Sequence, residues 1–275
     1  MKRTTYIILG MLLTGLIVMS AALVYLFTWS ADSDRTLLKI AGAYKTVNLP
    51  QCKVLELTMN ESSLNPGTGE TKKTRWASFQ DTPLKVSPSK GNLASFTYSS
   101  DMDRYMKIQS SGDTLKIVFD FSEGKLDSEK RSMDWFIVHS REMKIALPDQ
   151  VQLLNANLLD QNVKIEGFKR DSLSVGVRGN AVMESSHFKA LNVQRGDWQF
   201  NSGEVENLHL YLDDIQAWKV NTTSFHIDKE YLSGKNTSEC VLQKGECRQI
   251  IWNPQSPDAS LRVELKEAAI LKVLK

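Results

Sequence analysis

Three cysteines and four histidines in 275 residues are very few, and each shortage removes a class of protein. Three cysteines cannot build a disulfide framework. Four histidines leave little material for general acid–base chemistry. Charge of one sign is also missing: 34 basic residues face 32 acidic ones, for a net charge of +2. Nucleic acids and other polyanions require a basic excess gathered on one face, so no nucleic-acid partner is expected. The chain has no P-loop, no G-x-G-x-x-G opening a helix, no H-E-x-x-H and no G-x-S-x-G. No catalytic residue can be named on this basis, and no cofactor is implied.

One long hydrophobic run stands against these absences. Tyr6 to Trp29 is apolar and uncharged over 24 residues, enough at about 1.5 Å per residue to cover a hydrocarbon core of roughly 30 Å. Lys2 and Arg3 precede it, and Asp32 and Asp34 follow. Basic flanks stay cytoplasmic, so the run reads as a single-pass anchor oriented N-in/C-out. A cleaved signal ending near Ser20-Ala21-Ala22 is the alternative, but the apolar stretch continues past that point. Either way the remainder is exported.

Helical periodicity is scarce beyond the run, and strand signals dominate. Val54 to Leu57, Trp76 to Phe79, Leu93 to Tyr98, Tyr105 to Ile108, Thr114 to Phe121, Trp135 to Val138 and Met143 to Leu147 all read as strands. Asn60 to Gly91 is polar and rich in turn formers, and reads as a long loop around the short strand at Trp76. The expected class is all-β. Residues 1–5 form a cytoplasmic tip, 6–29 the transmembrane anchor and 30–148 a β-rich membrane-proximal region. Residues 149–252 carry repeats, and 253–275 a capping strand or helix.

The repeats are short apolar–polar–apolar triplets. Leu173-Ser174-Val175, Leu191-Asn192-Val193, Leu208-His209-Leu210 and Phe225-His226-Ile227 follow one another at steps of 17 or 18. A second column, Trp198, Ile215 and Leu232, keeps the step of 17. A fixed period marks coils that cannot bury their apolar faces alone. This predicts a short parallel β-solenoid with corners at Gly196, Ser202-Gly203 and Asp213-Asp214. A β-sandwich with coincidental spacing is the alternative.

The same step aligns Asn192, His209 and His226 in one outward file, where His209 and His226 could share a zinc or copper ion. A solvated polar ladder is the plainer reading. Cys240 and Cys247 bracket a plausible turn at Lys244-Gly245 and could form a disulfide in an oxidising compartment. Cys52 is left as a small core residue.

Met143 to Phe168, MKIALPDQVQLLNANLLDQNVKIEGF, precedes the last triplets, and GDTLKIVF (Gly112 to Phe119) lies upstream. With its Lys144-Ile145-Ala146-Leu147-Pro148 element, the chain resembles exported Bacteroidetes cell-envelope proteins of the auto-transporter adhesin head-domain group. Its glycine-poor repeats and its anchor depart from that pattern. The resemblance implies a periplasmic, Gram-negative envelope protein with a short β-solenoid, and carries no catalytic residues. The expected role is a non-enzymatic scaffold or binding module with an envelope protein or glycan partner. A carbohydrate-active enzyme and an anchored lipid-transfer or envelope-assembly partner are the competing roles.

Overall fold

The computed structural model describes residues 11–24, 36–60, 76–121, 125–127, 133, 135–215, 217–242, 249–265 and 270–273. Residues 11–24 are helical, with exposed side chains. Among the described residues no helix is long and apolar enough to cross a membrane. The two ends of the Tyr6 to Trp29 run lie outside the described residues. Most of the remaining described residues are strand, so the chain is all-β.

Among the described residues ten strands precede Pro148: β1 (Leu37–Ile40), β2 (Tyr44–Asn48), β3 (Val54–Met59), β4 (Trp76–Asp81), β5 (Leu84–Pro88), β6 (Ser95–Ser99), β7 (Met106–Ser111), β8 (Thr114–Phe119), β9 (Trp135–Ser140) and β10 (Met143–Leu147). In β8 the alternation TLKIVF buries Leu115, Ile117 and Phe119 completely, as a half-buried strand should. Strands β1, β9 and β4 form a small parallel sheet. The rest join one large sheet, in which the β7–β8 hairpin is antiparallel and β8–β3 parallel. The expected loop from Asn60 to Gly91 is corrected: it contains β5, with Leu84 and Val86 buried. Its Pro, Ser and Lys residues hid a strand whose inward positions number only two.

After Pro148 come β11 (Leu153–Glu166), β12 (Lys169–Glu184), β13 (Ser186–Phe200), β14 (Gly203–Tyr211), β15 (Trp218–Val220), β16 (Phe225–Gly234), β17 (Thr237–Leu242), β18 (Gln249–Pro254), β19 (Ser260–Leu265) and β20 (Ile270–Val273). The C-terminal described residues are therefore strand, not helix. All pairings within this half are parallel. The first limbs pair in the order β3-β11-β12-β13-β14-β16-β18-β20, and the second limbs in the order β5-β11-β12-β13-β15.

The long strands break register where they bend, near Asp160, Gly179 and Gly196. Gly196, at φ +104, is one place where only glycine fits: a Cβ there would meet the Val177 carbonyl oxygen at 2.6 Å.

Buried side chains run in columns through these rungs. Leu115, Leu55, Leu154, Val175, Val193, Leu210, Leu232 and Trp252 are successive register partners, each at most 6% exposed. On the second limbs Ile145, Val86, Ile165, Met183, Phe200 and Val220 are likewise successive register partners, each at most 9% exposed. Each such side chain contributes about 1.5–3 kcal/mol by leaving water.

The fixed step of 17 holds only in part. Leu173, Leu191 and Leu208 are register partners as expected. Phe225, however, lies opposite Gly203, and Leu208 faces the fully buried Glu230. Leu232 continues the Leu210 column, and Trp198 faces Trp218 instead of Ile215. The 3-10 turn Leu212–Asp214 and the turn closed by Ser224 N and Phe225 N on Asn221 O lengthen this coil. The next rung is therefore displaced by 22 residues instead of 17.

Candidate functional site

Strand alternation that buries Val175, Val193 and Leu210 turns their neighbours outward. One outward file is Ser174, Asn192, His209 and Tyr231, partners across four rungs. Asn192 Nδ2 donates to Ser174 Oγ at 3.2 Å. The His209 and Tyr231 rings lie flat together, centroids 4.4 Å apart and planes 5° apart. Burial pushes the His209 pKa below its ordinary value, so its imidazole is neutral at pH 7.

A second, less regular file holds Gln194, Tyr211 and Ser233, with Tyr211 opposite Ser233 and Gln194 beside Gly176. Between the two files runs a groove of about 540 Å³, within the roughly 300–1,000 Å³ typical of ligand sites. Gly176 keeps its floor open, since a Cβ would approach Asn155 Oδ1 to 3.2 Å. A register shift at Gly176 brings Arg195 opposite it, and Arg195 Nη1 donates to Asn157 Oδ1 at 3.0 Å. Tyr211 hydrogen-bonds Asp213. Asp213 in turn accepts from the backbone N–H of Lys235 at 2.8 Å and of Asn236 at 3.1 Å. These backbone bonds, Lys235 first, hold the Asp213 carboxyl below its usual range. The Asp213-Asp214 corner thus anchors one wall, and Asp214 is the one carboxylate lining the groove.

A second groove, about 560 Å³, lies further back on the same strands. Its files are charged: Lys169, His187, Glu204 and His226 in one, with Asp171, Lys189 and Glu206 beside it. Asp171 and Lys189 pair at 2.7 Å, which raises the lysine pKa, the hydrogen bond to Asp171 acting first.

These registers separate the two histidines expected to share a metal. His209 sits between Asn192 and Tyr231, and His226 faces Glu204. His209 and Glu204 are five steps apart along the strand, roughly 16 Å at about 3.3 Å per step. His226 Nε2 is instead 3.2 Å from Asp228 Oδ1. Among the described residues no group of three His, Cys, Asp or Glu is placed to hold a metal ion. Cys240 lies on β17, its backbone opposite Val263. Cys247, and with it the expected disulfide, lies outside the described residues. Cys52 is buried, and desolvation raises its thiol pKa.

Sequence reasoning missed Gln194, Arg195, Tyr211 and Tyr231. The alternation in Leu208-His209-Leu210-Tyr211 marks Tyr211 as outward. The Tyr231 partnership depends on the longer coil, which no local pattern announces.

No family model matches the chain, and no curated protein is significantly similar to it. Several solved structures are similar in overall shape. A Bacteroides fragilis protein described as a "putative adhesin" is 12% identical with a TM-score of 0.44, covering 86% of this chain and 100% of its own. A Parabacteroides distasonis protein described as a "putative lipid binding protein" is 11% identical with a TM-score of 0.38, covering 87% and 100%. A "putative adhesin" from Parabacteroides merdae is 10% identical with a TM-score of 0.37, also covering 87% and 100%. These descriptions belong to those proteins.

Proposed function

We propose that the chain is a membrane-anchored, exported, non-enzymatic binding module of the bacterial envelope. In this reading, the parallel rungs after Pro148 form a short β-solenoid that holds the groove between the two outward files rigidly. The observation that carries it is the division of each rung into a filled inner column and a polar outer file. Val175, Val193, Leu210 and Leu232 are buried while Ser174, Asn192, His209 and Tyr231 turn outward. A scaffold of this kind fixes side chains for recognition at little entropic cost. Among the described residues Asp214 is the one carboxylate that lines the groove, whereas glycoside hydrolysis uses a facing pair. The apolar run from Tyr6 to Trp29 supplies the anchor, with the β-rich part outside the cytoplasm.

Two measurements test this reading. The full chain, expressed in a Gram-negative host, resists alkaline extraction from membranes, and its β-rich part is cleaved by protease only after the outer membrane is opened. Release into the alkaline supernatant contradicts the anchor. In detergent, the full chain co-sediments with insoluble envelope material, and a Gln194→Ala/Tyr211→Ala variant loses at least tenfold of that retention. Equal retention of both proteins contradicts the role of the groove.

A further inference from the structure

We propose that the groove between the two outward files takes an uncharged linear saccharide lying along the rung axis. This rests on the binding-module reading above and names its ligand class. The walls offer what closely spaced sugar hydroxyls require. Asn155, Asn192 and Gln194 supply planar amides that donate and accept at once, while Arg195 and Asp214 add one strong donor set and one strong acceptor. The single cation and single anion balance, so the field in the groove does not select a polyanion. Tyr211 adds a flat apolar face, fixed through its hydrogen bond to Asp213, and such a face suits the C–H side of a pyranose ring.

Geometry narrows the class further. The groove is built across the strands from β11 to β16, which stand about 4.8 Å apart. That spacing is close to the length of one hexose residue, so a linear glycan presents a similar set of hydroxyls to each rung. An extended peptide is disfavoured because the groove lies mid-sheet. The backbone there is paired on both sides by β12, β14 and their neighbours, and strand addition needs an open edge. An acyl chain is disfavoured because amides, hydroxyls and charges dominate the lining.

The test is calorimetric titration of the full chain, held in a zwitterionic detergent free of sugar. The probes are malto-, cello-, manno- and chito-hexaose, the corresponding disaccharides, and a sulfated glycan for comparison. At least one neutral hexaose binds, at least fivefold tighter than its disaccharide, and its affinity changes less than twofold between 50 and 500 mM salt. Gln194→Ala and Tyr211→Ala each weaken it at least tenfold, whereas Lys189→Ala in the charged groove leaves it unchanged. Gln194 is exposed, so its truncation leaves the fold intact, as an unchanged melting temperature verifies. The proposal is overturned if no hexaose binds, if binding survives both groove variants, or if the sulfated glycan alone binds with steep salt dependence. Groove-dependent co-sedimentation with envelope material, without binding of any saccharide, overturns the ligand class and leaves the binding-module reading standing. Loss of both removes the two together.

Discussion

His209 shows what a single residue can and cannot reveal. Its place between Leu208 and Leu210 announces an outward side chain on a strand, and the structure puts it there. Its ring partner, Tyr231, sits on a rung displaced by 22 residues instead of 17, so the stacking was not legible. Burial lowers the His209 pKa, and the sign of the consequence follows from linkage. The unfolded chain takes up this proton near the ordinary value of about 6.5, the folded protein only at lower pH. Stability is therefore complete above the ordinary value and declines as pH falls through the folded value. The imidazole resonances of His209 are expected to titrate below the ordinary midpoint, and Tyr231→Ala is expected to move that midpoint upward. A His209 midpoint at or above the ordinary value contradicts the half-buried stack.

At the scale of the element, alternation was the most legible feature. Strands β8 and β10 could be read from Leu115, Ile117 and Phe119 and from Met143, Ile145 and Leu147, because a period of two assigns each side chain to a face. The corners at Gly196 and Gly203 were legible too, since glycine is the residue that tolerates positive φ. Choice of neighbour was not legible: an apolar triplet fixes a face but not the rung it stacks on. Phe225-His226-Ile227 and Leu208-His209-Leu210 look alike in sequence, yet Phe225 lies over Gly203.

Gly203 gives the element-scale prediction. At φ +134, a Cβ would come within 2.1 Å of the Ser186 carbonyl oxygen on the neighbouring rung. Gly203→Ala is expected to cost more than the roughly 1–3 kcal/mol of backbone strain alone. Gly112→Ala, at φ +58 with nothing within 4 Å of its Cβ, is expected to cost only about 1–2 kcal/mol. Urea midpoints of the two variants check the order. Equal losses would mean that the rungs do not approach closely at Gly203.

At the scale of the molecule, the large sheet of the described residues runs from the antiparallel β7–β8 hairpin through parallel neighbours to β20. At the last rung Ile270, Leu271 and Val273 are exposed, because the inner columns have no further partner there among the described residues. The chain's all-β class was readable from the alternation of its strand signals. The step length between rungs was not, because the turns at Leu212–Asp214 and Asn221–Ser224 add residues without altering the apolar pattern. That unequal step decides which outward residues share a file, and hence whether a groove or a histidine pair exists.

Cysteine cross-linking reads the step directly. In a background with Cys52, Cys240 and Cys247 replaced by serine, His209→Cys combined with Tyr231→Cys places two thiols on adjacent parallel strands. Their Cα atoms stand about 4.8 Å apart, within the roughly 4.4–6.8 Å that a disulfide spans. Mild oxidation is expected to join this pair and to leave His209→Cys with His226→Cys unlinked. The reverse pattern would restore the 17-residue step and dissolve the groove.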